Sequence, residues 1–132
     1  MSEVKGMVKN MEDVLNEFGK ILITEVRDGT IDSMNKMIDG TMKGTIAKLI
    51  RKKISILDKE QIEVLKWLIP EIVDFSLDSM LFMFEGHPDL QLVFQGVDLK
   101  EVSDGLSGEL YTEDGWIQKF SEYDELISDE DF

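Results

Sequence analysis

Three features of the sequence predict a mainly α fold of the α-rich α+β kind: three long helices in a bundle, then a short strand or hairpin and short C-terminal helices. Apolar residues recur at four- and three-residue steps through the first part of the chain, the period that keeps one face of a helix in the core. The stretch IEVLKWLIPEIVDFSLDSMLFMFE, from Ile62 to Glu85, is apolar on nearly every face beyond Trp67, as a helix is when neighbours cover most of its circumference. Alternation with a period of two occurs only over residues 89–95.

The first seam, Val4, Val8, Met11, Leu15, Phe18, Leu22 and Val26, predicts a helix from about Glu3 to Arg27. Asp28-Gly29 offers a stop, and Thr30 can cap a second helix over Ile31 to Ile54, so the two are expected as antiparallel neighbours. Gly40 and Gly44 sit inside that second helix and predict a break or bend there. The third helix starts at Asp58, which can accept a backbone N–H bond while Gln61 reaches back to close a capping box. Pro70 lacks the N–H for its turn, which predicts a kink or split near Ile69, and Gly86-His87-Pro88 ends the helix.

In the strand, Leu90, Leu92 and Phe94 alternate with Gln91, Val93 and Gln95, and a partner is expected at Glu109–Thr112 or on a second copy of the chain. Asp98 and Glu101 predict a short helix through about Leu106, and Thr112 a last one through Glu122 or Tyr123. Residues 1–123 read as one domain, and 124–132 as an acidic, disordered tail.

The net charge is −14, and it is unevenly spread. Residues 1–97 hold 16 acids and 12 bases, whereas 98–132 hold 12 acids and 2 bases. Such a surface repels nucleic acid and anionic lipid and attracts a basic protein partner. No cysteine is present, so packing alone must hold the fold, which suits a reducing, cytoplasmic setting. Lys66, Glu71, Asp74 and Asp78 interrupt the longest apolar run and argue against a membrane span. Lys43, Lys48, Arg51, Lys52 and Lys53 form the one basic cluster, placed where positive charge favourably faces a helix C-terminus.

Motifs that would carry chemistry are weak. His87 has no second histidine or cysteine with which to share a metal, and Ser107 in Gly-Leu-Ser-Gly is out of frame for a nucleophile elbow. Asp104, Glu109, Glu113 and Asp114 fail the EF-hand spacing, and no phosphate loop or other cofactor motif is present. Glu60-x-x-Glu63 and Glu71-x-x-Asp74 are similar to the magnesium-binding pairs of the all-α nucleoside triphosphate pyrophosphohydrolases. That resemblance implies a metal-dependent nucleotide hydrolase, but both pairs fall on one helix and could close one site only if Pro70 folded it into a hairpin. Otherwise Glu71, Asp74 and Asp78 form a polar stripe on a greasy cylinder.

The segment SDGLSGELYTEDGWIQKFSEY, residues 103–123, resembles the C-terminal part of small acidic bacterial proteins, a class that includes the immunity proteins of toxin systems. The resemblance implies a protein that acts by binding, with an acidic surface laid against a basic client. Glu109, Tyr111, Glu113, Asp114, Trp116 and Glu122 are the candidate partner-binding residues, since aromatics ringed by charge are common interface anchors. Core packing is the competing role for Tyr111 and Trp116. A homodimer and a helical accessory subunit are further expectations of the same reading.

Overall fold

The computed structural model describes residues 2–123, with side-chain surroundings from residue 11 onward; the tail expected over 124–132 lies outside the described residues. The fold is mainly α with a small β element, in the order α1 (Ser2–Ile21), a π-helical turn (Leu22–Arg27), α2 (Asp28–Asp39), α3 (Thr45–Ile54) and α4 (Lys59–Gly86). It then continues through β1 (Val93–Phe94), β2 (Val97–Asp98), α5 (Leu99–Val102), a 3-10 turn (Ser107–Leu110) and α6 (Trp116–Phe120).

Asp28-Gly29 does not stop the first helix. The chain stays helical from α1 into α2, so the expected antiparallel pair with a turn at 28–30 is replaced by one long run with a widened turn in it. The Asp28 carboxylate, which would have to serve a local turn, is committed instead to Ser121 and Glu122. The actual stop is Gly40, left-handed at φ 81°. Its N–H donates to the Met37 carbonyl, and the Thr41 N–H donates to that of Lys36 at 2.9 Å, the Schellman arrangement. The break predicted between Gly40 and Gly44 thus divides the expected second helix into α2 and α3.

Helix α4 begins as its sequence predicts. The Gln61 N–H donates to Asp58 Oδ1 and the Asp58 N–H donates to Gln61 Oε1, both at 2.9 Å. It then runs for 28 residues, roughly 42 Å, through Pro70 without being split. Pro70 is buried, so packing around the ring accommodates the backbone bond it cannot make.

The strand is shorter than expected, and its partner is neither Glu109–Thr112 nor a second copy. Val93 pairs with Asp98 and Phe94 with Val97 across a tight turn. Gln95 and Gly96 both adopt positive φ, 53° and 76°, which matches the twist a two-residue hairpin needs. The Asp98 side chain accepts from the Lys100 N–H at 3.1 Å and starts α5, which stops at Val102 rather than Leu106. The last helix is also shorter than expected, because Gly115 rather than Thr112 precedes it and Ser121 ends it.

The core gathers Val14, Leu15, Leu22 and Ile23 from the first helical run with Leu77 and Leu81 from α4, closed over by Leu99, Leu106, Leu110 and Trp116. Trp116 is 0% exposed, and Phe18 meets it edge-on with ring centroids 5.9 Å apart. A methyl group at Gly19 would fall inside the van der Waals envelope of that indole. Gly19→Ala is therefore expected to cost about 1–3 kcal/mol through overpacking, and Trp116→Ala about 3–5 kcal/mol through the void it leaves. Urea unfolding should show both as a lower midpoint with an unchanged slope.

Candidate protein-interaction surface

The outer side of α4 is positioned by a buried ionic knot. The π-helical turn inserts one extra residue, closed by the Asp28 N–H donating to the Ile23 carbonyl, and so re-phases the helix after Leu22. Val26, expected in the seam, is turned out to 45% exposure, and Arg27 is turned in to 2%. The Arg27 guanidinium grips Asp74 of α4 with two bonds, Nε to Oδ1 at 2.5 Å and Nη2 to Oδ2 at 3.2 Å. Its Nη1 donates to Asp28 Oδ1 at 3.2 Å and to Ser121 Oγ at 2.6 Å.

Ser121 Oγ in turn donates to Asp28 Oδ1 at 2.7 Å, and the Glu122 N–H donates to Asp28 Oδ2 at 2.7 Å. One cation and two carboxylates thus pin the first helical run, α4 and the C-terminal segment together. Forked geometry of this kind is what a guanidinium supplies and an ammonium does not. Sequence reasoning missed Arg27. The four-residue steps Ile23, Arg27, Ile31 could have signalled it, but Val26 fitted the uninterrupted seam equally well.

With Asp74 held, the acidic stripe of α4 faces the C-terminal segment. The Tyr111 hydroxyl donates to the Asp74 backbone carbonyl at 3.1 Å, while the residue as a whole remains 54% exposed. Desolvation of the phenol, then the charges of Asp78, Asp74 and Glu71, push its pKa from 10.0 up to about 12, with Arg27 opposing.

Beside that stripe lies an apolar one. Val64, Leu68, Ile72, Phe75 and Phe82 recur at steps of four, four, three and seven, so they share one face, which Trp67 and Met83 widen. All seven are exposed, from 41% at Leu68 to 75% at Phe75. The expectation that neighbours cover most of this helix is therefore half right. Its inner face, with Ile69, Val73, Leu77, Leu81 and Phe84, meets the other elements, and its outer face meets none among the described residues.

The residues expected to bind a partner divide accordingly. Tyr111, Glu113, Asp114 and Glu122 are exposed. Glu109 is half-buried, and its carboxylate accepts from Ser103 Oγ at 3.0 Å, a bond that holds the turn. Trp116 contributes no surface at all, which corrects its place among the partner-binding candidates.

Nor does the structure bring Glu60, Glu63, Glu71 and Asp74 together. The hairpin at Pro70 that they require is absent, Glu60 and Asp74 lie roughly 21 Å apart along an unbroken helix, and Arg27 occupies the Asp74 carboxylate. Among the described residues no group of three or more histidines and carboxylates is placed to hold a metal ion. His87 is an exposed loop residue whose carbonyl accepts from Lys100 Nζ at 2.8 Å. The Ser107 N–H is bonded to the Glu85 carboxylate, consistent with a turn. Among the described residues no helix is long and apolar enough to cross a membrane.

Comparison with protein-family models, with curated proteins and with solved structures found no match for this chain.

Two measurements test this geometry. Arg27→Ala leaves the buried Asp28 and the half-buried Asp74 without a counter-charge and is expected to cost about 3–5 kcal/mol, with faster proteolysis of the C-terminal segment as the local readout. For Tyr111 the folded pKa lies above the ordinary value, so its contribution to stability is complete below pH 10.0 and is lost as the pH rises to about 12. Near-ultraviolet titration should show a phenolate transition near pH 12 that Tyr111→Phe removes.

Proposed function

We propose that this chain is a non-catalytic interaction protein, immunity-like in acting by covering its client, and that it binds through the outer face of α4. The observation that carries this reading is the uncovered apolar stripe from Val64 to Met83, edged by Glu71, Asp74 and Asp78. Contiguous exposed apolar area of this extent is uncommon on proteins that work alone, and a polar rim around it is the usual anatomy of an interface.

The acidic C-terminal surface extends that rim. Tyr111 lies over the carboxylate edge, and Glu113, Asp114 and Glu122 are exposed on the segment that Arg27 holds in place. A fitting partner presents apolar side chains flanked by lysine or arginine, as a basic amphipathic helix does. The absence of cysteine supports a cytoplasmic setting for this role.

The test uses a labelled amphipathic peptide with one leucine face and one lysine face, followed by fluorescence anisotropy. The chain is expected to bind it, to do so more weakly as salt rises, and to lose about tenfold or more in affinity on Phe75→Asp. Emission from Trp67, which is half-exposed whereas Trp116 is already buried, should shift to the blue on binding. Absence of binding, or binding that Phe75→Asp leaves unchanged, overturns the reading.

A further inference from the structure

We propose that the exposed basic face of α3 is a docking surface for the acidic residues 124–132 of the same chain. This contact is separate from the outer face of α4 and does not rest on the reading of that face.

Helical spacing builds the surface. Residues 43–53 hold five bases and no acid. Within α3, Lys48, Arg51 and Lys52 stand three and four positions apart and form one row, and Ile46, Leu49 and Lys53 form the next. Ala47 is the one buried residue of this helix, with Ile50 and Ile54 half-buried, so both rows are left to solvent. Among the described residues, none of Lys48, Arg51, Lys52 and Lys53 pairs with a carboxylate. The helix dipole favours positive charge in the last turn. It gives no reason for exposed Ile46 and Leu49 to lie alongside, whereas an acidic segment with apolar side chains of its own does.

That chemistry exists within the chain. Residues 124–132 hold Asp124, Glu125, Asp129, Glu130 and Asp131 with no base, and Leu126, Ile127 and Phe132 are their apolar side chains. Five acids thus stand against five bases.

The ionic knot brings the start of this segment to the helix on which α3 packs. The Glu122 N–H is bonded to Asp28 at the beginning of α2. Tyr123 lies near Asp32, one turn further along: desolvation, then the charges of Asp32, Asp28 and Glu122, raise the pKa of its phenol. Asp28, Asp32, Lys36 and Gly40 follow one row of α2 at steps of four, and the Arg51 guanidinium of α3 lies against Gly40. Asp32 to Gly40 is roughly 12 Å along the helix, and α3 itself is roughly 15 Å long. Residues 124–132 span up to about 30 Å when extended, which is enough to pass Gly40 and follow α3.

The tether also selects this occupant over others. A short link holds the segment at an effective concentration in the millimolar range, so weak ion pairs are sufficient. Anionic lipid and nucleic acid, by contrast, approach a chain of net charge −14.

The chain has no cysteine, so Ser128→Cys places a single spin label in the segment, and paramagnetic broadening of backbone amides is read over the full chain. Amides of Lys48 to Lys53 are expected to broaden more than those of α4 and α5. The effect should fall about twofold or more between roughly 0.01 M and 1 M salt, as the screening length shrinks from roughly 30 Å to 3 Å. Lys48→Glu with Lys52→Glu and Lys53→Glu should remove it. Adding Asp129→Lys, Glu130→Lys and Asp131→Lys should bring it back, which an unfolded variant would not do. With spin label and isotope label on different chains, no broadening is expected. Broadening that charge reversal leaves unchanged, or that is no stronger on α3 than elsewhere, overturns the docking. Equal broadening between differently labelled chains moves the contact to a second copy and overturns it as well.

Discussion

Burying a guanidinium between two carboxylates is the constraint on which the remaining structure depends. Taking charges out of water costs several kcal/mol per ion, and the cost is offset only where the donors and lone pairs find partners. Arg27 meets that condition with Asp74, Asp28 and Ser121, and its Nη1 also approaches the Tyr123 carbonyl at 3.4 Å. Its partners come from positions 28, 74 and 121–123, so the knot closes two long loops of chain and fixes where α4 and the C-terminal segment lie. The π-helical turn serves the same end, since without the extra residue Val26 rather than Arg27 would face inward.

What the knot positions is a helix with two apolar faces. The inner one supplies Leu77 and Leu81 to the core, and the C-terminal elements with Trp116 close over it. The outer one keeps its apolar stripe, and Tyr111, bonded to the Asp74 carbonyl, carries the acidic rim up to its edge. Stability and recognition therefore share one element: the carboxylate that neutralises Arg27 belongs to the stripe whose charges, at Asp78, Asp74 and Glu71, add to the desolvation that raises the Tyr111 pKa. The N-terminal end of the same helix is tied to α2 by Lys66 and Asp39, 2.6 Å apart, so both ends of its inner face are anchored while the outer face is left clear.

Much of the fold was legible in the chain because the signals were local. The capping box at Asp58 and Gln61, the break between Gly40 and Gly44, the end of α4 at Gly86-His87 and the mainly α class all follow from short stretches whose chemistry admits few alternatives. Where the reading went astray, a distant group had claimed a local one. Asp28 could not serve as a stop because Ser121 and Glu122 hold it, and Glu109 is drawn into a turn by Ser103. The hairpin partner at Val97–Asp98 was overlooked because Gln95-Gly96 is a less recognisable turn than asparagine with glycine.

The sequence by itself determined the helical class, the apolarity of residues 62–85 and the concentration of negative charge toward the C-terminus, since periodicity and composition are properties of neighbouring residues. Only the tertiary structure decided which side of α4 is core and which is surface. Two apolar faces of similar character are written into that one stretch, and choosing between them depends on where Arg27 meets Asp74, a contact spanning 47 residues that no local pattern encodes.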